Sequence, residues 1–98
     1  MALTSGLYAP RERSRHVADA ARALRVAQDL SRKSLSARSG VPEPTIKRFE
    51  TTGRIAFESL VMLADALGTA DRLQTLFDAP APTSLQQIKR GERQRGRG

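Results

Sequence analysis

Apolar residues in this chain recur at helical spacing in clusters bounded by glycine, proline or hydroxyl-bearing residues. Between about Ser14 and Gln28, Val17, Ala20, Ala21, Leu24 and Ala27 repeat on one face while Arg22 and Arg25 fall at other angles, and Ser14 is the candidate N-cap. Asp29 and Leu30 lead into Ser31, with Leu30 expected to plug the core. Two shorter patterns then meet at Gly40: Leu35 stands before it, Val41 follows it, and Ile46 and Phe49 are three apart on the next segment. Those four are the expected core of the turn. Ser31 caps the earlier segment and Gly40 supplies the positive φ that ends it. The VPEPT run then restarts the chain with Pro42 and Pro44 held in a first turn, where a missing N–H costs little. Thr51, Thr52, Gly53 and Arg54 read as the loop closing this third helix. Phe57, Leu60, Val61, Ala64 and Leu67 form the face of a fourth, ended by Gly68, and Leu73, Leu76 and Phe77 that of a short fifth from about Ala70.

This pattern predicts an all-α fold, a five-helix domain over residues 14–78. Residues 1–13 hold Leu3, Leu7 and Tyr8 without a sustained period and read as a flexible arm. Residues 79–98 read as a linker and tail. APAP at Ala79 to Pro82 stiffens the exit, Thr83 or Ser84 caps a short helical turn through Leu85 and Ile88, and KRGERQRGRG closes the sequence. A chain of 98 residues is expected to form one domain with a small core. Oligomerisation would add to its stability.

Charge narrows the class. Seventeen Lys and Arg against ten Asp and Glu give +7 and a pI near 11.3, well above the value of about 9 that marks nucleic-acid-binding domains. More than half of that surplus lies in the tail, where Lys89, Arg90, Arg93, Arg95 and Arg97 face only Glu92. Acidic membrane surfaces attract such charge too, but amphipathic membrane helices use Trp or Phe. Here Trp is absent and Phe49, Phe57 and Phe77 stand at core-like positions, so no membrane partner is expected. No signal-peptide core or span-length apolar run occurs, and a cytoplasmic location is the expectation.

Chemistry of other kinds finds little support. No cysteine and a lone His16 exclude thiolate and histidine-cluster metal sites, so no metal and no cofactor is expected. His16 sits beside Arg13 and Arg15 as a surface histidine, Ser31, Ser34, Ser36 and Ser39 have no base nearby, and no glycine-rich phosphate loop occurs. No catalytic residue is assigned.

Two helices meeting at a glycine turn make a helix-turn-helix, whose second helix enters the major groove of DNA. The exposed residues there, Glu43, Pro44, Thr45, Lys47, Arg48 and Thr51, are rich in groups that read DNA. Arg48 is the expected base reader, through bidentate donation to guanine O6 and N7, and Glu43 a candidate acceptor from cytosine N4. A short amphipathic helix pair without function gives a similar pattern, and spacing decides between them.

That spacing resembles the lambda-repressor-like (Xre) helix-turn-helix family, whose motif runs from a capping Ser or Thr through LA-x-x-x-GV-S-x-x-T-I-x-R-x-E. Leu35, Gly40, Val41, Thr45, Ile46, Arg48 and Glu50 match it. Ser36 departs where the family prefers Ala, Pro42 where it prefers a capping hydroxyl, and Phe49 where it often has Leu. Only Pro42 bears on binding, since it removes a phosphate contact. The resemblance implies backbone contacts from Arg32, Arg54 and Lys47, and an inward ion pair between Glu50 and Arg25. It also implies a homodimer on a palindromic double-stranded operator, for which Leu73, Leu76 and Phe77 offer surplus apolar area unless all three are core. An N-terminal arm carrying Arg11, Arg13 and Arg15 would reach along the DNA, or be a solvated charge run.

Beyond the motif, RFETTGRIAFESLVMLADALG followed by LFDAPAPTSLQQIKRGERQRGRG resembles the small antitoxins encoded beside HipA-type kinase toxins, over most of residues 16–98. In them a TGR-I-x-x-x-SL helix and a Pro-then-basic tail recur. The expectation is a bacterial or phage-encoded, nucleoid-associated repressor that autoregulates its operon and binds a HipA-type kinase toxin. A stand-alone or phage repressor without a toxin remains open, as does an interaction module whose basic tail binds RNA or an acidic protein.

Overall fold

The computed structural model describes residues 9–81. The readings of Leu3, Leu7 and Tyr8, of the turn through Leu85 and Ile88, and of the basic tail lie outside the described residues.

Five helices follow one another, and no strand occurs among the described residues: α1 (Pro10–Ala27), α2 (Arg32–Ser39), α3 (Glu43–Thr52), α4 (Phe57–Leu67) and α5 (Ala70–Gln74). α3 packs on α1 and α2, α2 also on α4, and α4 on α5. The core sits beneath the α2–α3 turn. Leu35, Val41, Ile46 and Phe49 are all buried there, joined by Ala18, Leu30, Leu63 and Leu67. Burying a large aliphatic or aromatic side chain contributes about 1.5–3 kcal/mol, so these few residues hold the turn rigid beneath α3.

Local chemistry sets the helix ends. Ser31 Oγ accepts from the Ser34 N–H at 3.0 Å, and Gly40 ends α2 at φ 81°. A Cβ at Gly40 would stand 3.3 Å from the Met62 Cε of α4, a flexible side-chain end that can shift, so it is the left-handed conformation that calls for glycine here. Pro42 precedes α3 with no side-chain cap, and Pro44 lies within its first turn.

Several expectations are corrected. α1 starts at Pro10, not Ser14, because proline's fixed φ and missing N–H suit the first helical position. Arg11, Arg13 and Arg15 are therefore helical and do not belong to an arm. The buried face of α1 is also rotated: Ala18 and Arg25 are buried while Val17, Ala20 and Ala27 are exposed. Thr51 and Thr52 belong to α3, and Gly53 alone, at φ 78°, ends it. On α4, Leu63, Ala64 and Leu67 face the core, whereas Phe57 is 64% exposed and Val61 is exposed. α5 stops at Gln74, so of its expected face only Leu73 is half-buried; Leu76 and Phe77 lie beyond the helix, and Phe77 is 94% exposed. Phe57 and Phe77 are thus not core residues.

Candidate nucleic-acid interface

α3 is held from beneath by a charged cluster. Arg25, on α1, donates through Nε to Glu50 Oε2 at 2.7 Å and through Nη2 to Glu50 Oε1 at 3.0 Å. Its third nitrogen, Nη1, donates to the Leu30 carbonyl at 2.7 Å, tying the α1–α2 connection into the same cluster. Arg32, in the first turn of α2, adds a hydrogen bond from Nε to Glu50 Oε1 at 2.9 Å. One carboxylate therefore joins three helices. Among the described residues, no buried side-chain polar atom lacks a partner, which is the condition under which a buried charge is tolerated. Burial pushes the Glu50 carboxyl up, but hydrogen bonds and charge from Arg25 and Arg32 outweigh it, and the group sits below the usual carboxylate range.

The outer side of α3 is different. Glu43, Pro44, Lys47, Arg48 and Thr51 are exposed and Thr45 is half-buried, with Ile46, Phe49 and Glu50 beneath them. Arg48 and Arg54 have no side-chain partner among the described residues. Thr51 and Thr52 return their hydroxyls to the helix, Thr51 Oγ1 to the Lys47 carbonyl at 2.9 Å and Thr52 Oγ1 to the Arg48 carbonyl at 2.6 Å. Thr52 Oγ1 also accepts from the Arg54 N–H at 3.1 Å, which sets the direction in which the chain leaves α3. Arg32 is half-buried with one nitrogen committed to Glu50, so its freedom to meet a phosphate is less than the sequence suggested. Arg54 is exposed at the end of α3.

Two contributions escaped sequence reasoning. Arg15 donates through Nη1 to the Thr51 carbonyl, so α1 caps the C-terminal end of α3. α1 also approaches there at backbone distance: a Cβ on Gly53 would stand 3.2 Å from the Ser14 carbonyl carbon and 3.3 Å from the Arg15 nitrogen. Pro10 at the head of an arginine-rich run was the available signal. The second is Arg32 as a further partner of Glu50, for which spacing carries no signal because the two come from different helices.

The described residues contain no group of His, Cys, Asp and Glu able to hold a metal ion, and no helix among them is long and apolar enough to cross a membrane. What the arrangement offers is a short helix braced on its inner side, with cations and a carboxylate presented outward, the kind of surface that a helix entering the DNA major groove uses. No curated protein and no solved structure matches the chain. A family model described as helix-turn-helix does match it over residues 22–72, just over half of its 98 residues, from within α1 through the first turn of α5. The chain belongs to this family, the lambda-repressor-like (Xre) helix-turn-helix proteins, and is a DNA-binding transcription regulator.

Proposed function

We propose that the protein is a sequence-specific repressor that binds a palindromic operator as a homodimer, with α3 in the major groove. The observation that carries this is the asymmetry of α3: its inner face is locked by Ile46, Phe49 and Glu50, and its outer face presents Glu43, Lys47 and Arg48 unobstructed. Arg48 reads a base, Glu43 a neighbouring one, and Arg54, Lys47 and the free nitrogens of Arg32 hold phosphates, with Pro44, Thr45 and Thr51 completing the contact surface. Dimerisation uses the surface around Leu73, Leu76 and Phe77, and the exposure of the last two supports this over a core role. Selection of duplexes from a random library, followed by footprinting, tests the reading. Recovery of a two-fold symmetric site supports it, and binding with no sequence preference refutes it.

The finer role is antitoxin to a HipA-type kinase, with the operon as target. Its support is the sequence resemblance beyond the helix-turn-helix, together with an apolar surface, at Leu76 and Phe77, just ahead of Pro80. Co-purification with the product of the adjacent gene tests it. Without a kinase there, the stand-alone repressor is the reading that holds.

A further inference from the structure

The start of α1 and the end of α3 enclose a cleft of about 580 Å³ whose walls carry Arg11, Arg48 and Arg54. The rest of its lining is Pro10, Ser14 and the Thr52–Gly53 corner, so no carboxylate of the described residues lines it. None of the three guanidinium groups has a partner among the described residues, and all three side chains are exposed. Three like charges gathered in one hollow repel each other unless an anion lies between them. Two further features add to the positive field. The first turn of the 18-residue α1, the positive end of its dipole, lines this place, and the Arg11 N–H is among the unbonded groups of that turn. Glu12, the acid of that turn, lines a neighbouring depression with Asp19, and Arg11 borders both hollows.

The cleft is also built to keep its shape. Gly53 lets the α1 backbone approach α3 within van der Waals contact, and Arg15 fastens the two helices through the Thr51 carbonyl. Pro10 fixes the chain direction just ahead of Arg11. A planar guanidinium suits bidentate donation to phosphate oxygens, and the cleft presents three, from α1, from α3 and from the loop after α3.

On the reading that α3 lies in the major groove, we infer that this cleft seats a backbone phosphate of the bound duplex, with Arg11 as a DNA-contacting residue that the recognition helix itself does not supply. Arg48 stands on the boundary between this seat and the base-reading surface. The ligand chemistry is a phosphodiester oxyanion; a free phosphate would satisfy the same donors, so the two sources must be separated.

The test uses the full chain and a short fluorescent duplex of mixed sequence, titrated across a range of salt concentrations by anisotropy. Arg11→Gln is expected to lower the slope of log affinity against log salt by about 0.9, the value for one phosphate contact on B-DNA. Arg11→Lys is expected to restore most of it, and Arg72→Gln, which removes the same charge from α5, to leave it unchanged. Each protein's thermal melt is recorded so that a folding defect is not read as a binding one. In parallel, the Nε–Hε signals of Arg11, Arg48 and Arg54 are followed by NMR while the same duplex, or inorganic phosphate at constant ionic strength, is added. The duplex is expected to saturate them at far lower concentration than phosphate does. If the wild-type chain binds the duplex and Arg11→Gln keeps its slope, or Arg72→Gln loses as much, the phosphate seat is overturned while the DNA-binding reading stands. Saturation by inorganic phosphate as tight as by duplex overturns the backbone as source. A wild-type chain with no salt-dependent duplex binding removes the underlying reading itself.

Discussion

The two sides of α3 use arginine in opposite ways. Beneath the helix, Arg25 and Arg32 converge on Glu50, no buried side-chain polar atom among the described residues lacks a partner, and Arg25 is as buried as Leu30 and Leu67. Above and beyond it, Arg48 and Arg54 are exposed, with no acid among the described residues bonded to either. Composition alone would count all four as basic residues of a basic protein. Their environments differ: the arginines paired with Glu50 fix where α3 sits, and the exposed ones leave their donors open to another molecule. The same division explains how so small a core can hold a recognition helix still, since the Glu50 cluster ties α1, α2 and α3 together where apolar area is scarce.

Removing the acid has the largest expected effect. Glu50→Ala leaves Arg25 buried without its partner, and loss of one side of a buried pair costs about 3–5 kcal/mol. A urea denaturation midpoint should fall accordingly, and DNA binding should fail because the protein unfolds. A variant that keeps its midpoint but loses DNA would place Glu50 on the binding side. On the outer face the expectation reverses. Arg48→Ala should leave the midpoint unchanged and weaken operator binding by about 1–3 kcal/mol, with preference relaxed at one base pair, as competition assays with single-base variants would show.

The joint between the two regions is Gly53. Alanine there must adopt a left-handed conformation costing about 1–2 kcal/mol and must also push against the backbone of Ser14 and Arg15. Gly53→Ala should therefore lower the melting temperature and loosen α1 from α3, read as faster amide exchange in the first turns of α1. An unchanged melt would mean that the close approach is easily relaxed.

The smallest effect is one of pH. Because the folded Glu50 carboxyl titrates below its unfolded counterpart, its contribution to stability is fully present above the unfolded pKa of about 4.3 and is lost as pH falls through the folded value. Stability measured from neutral pH downward should show this loss only below that point. In Glu50→Gln the corresponding part of the acid limb should be missing. An identical acid limb in both proteins would show that other carboxylates govern it.

How far the sequence carried this picture depends on what each residue's environment is made of. The turn was legible because Leu35, Val41, Ile46 and Phe49 lie close in sequence, with a cap and a glycine whose local chemistry determines their roles. The Arg25–Glu50 pair came only through the family resemblance, since nothing local links residues on different helices. α1 was misread in two respects. An alanine-rich helix gives apolar periodicity little contrast, and a buried arginine puts a polar residue on the inward face, so the pattern centred on Val17 instead of Ala18. Phe57 was expected inward because large apolar residues favour burial, whereas the spacing of Leu76 and Phe77 left them between core and dimer surface, and their exposure excludes the core. The cleft of Arg11, Arg48 and Arg54 could not be read at all, because it exists only once α1 extends to Pro10 and crosses the end of α3.

Substituting Arg25, Arg48 and Arg54 singly with glutamine decides whether pairing separates the arginines that build the fold from those that bind DNA. Each variant is assayed for both its urea midpoint and its affinity for the selected operator. Arg25→Gln should lose midpoint. Arg48→Gln and Arg54→Gln should keep the wild-type midpoint and lose affinity. An Arg25 variant as stable as wild type, or an Arg48 variant that unfolds or binds the operator undiminished, would contradict the account.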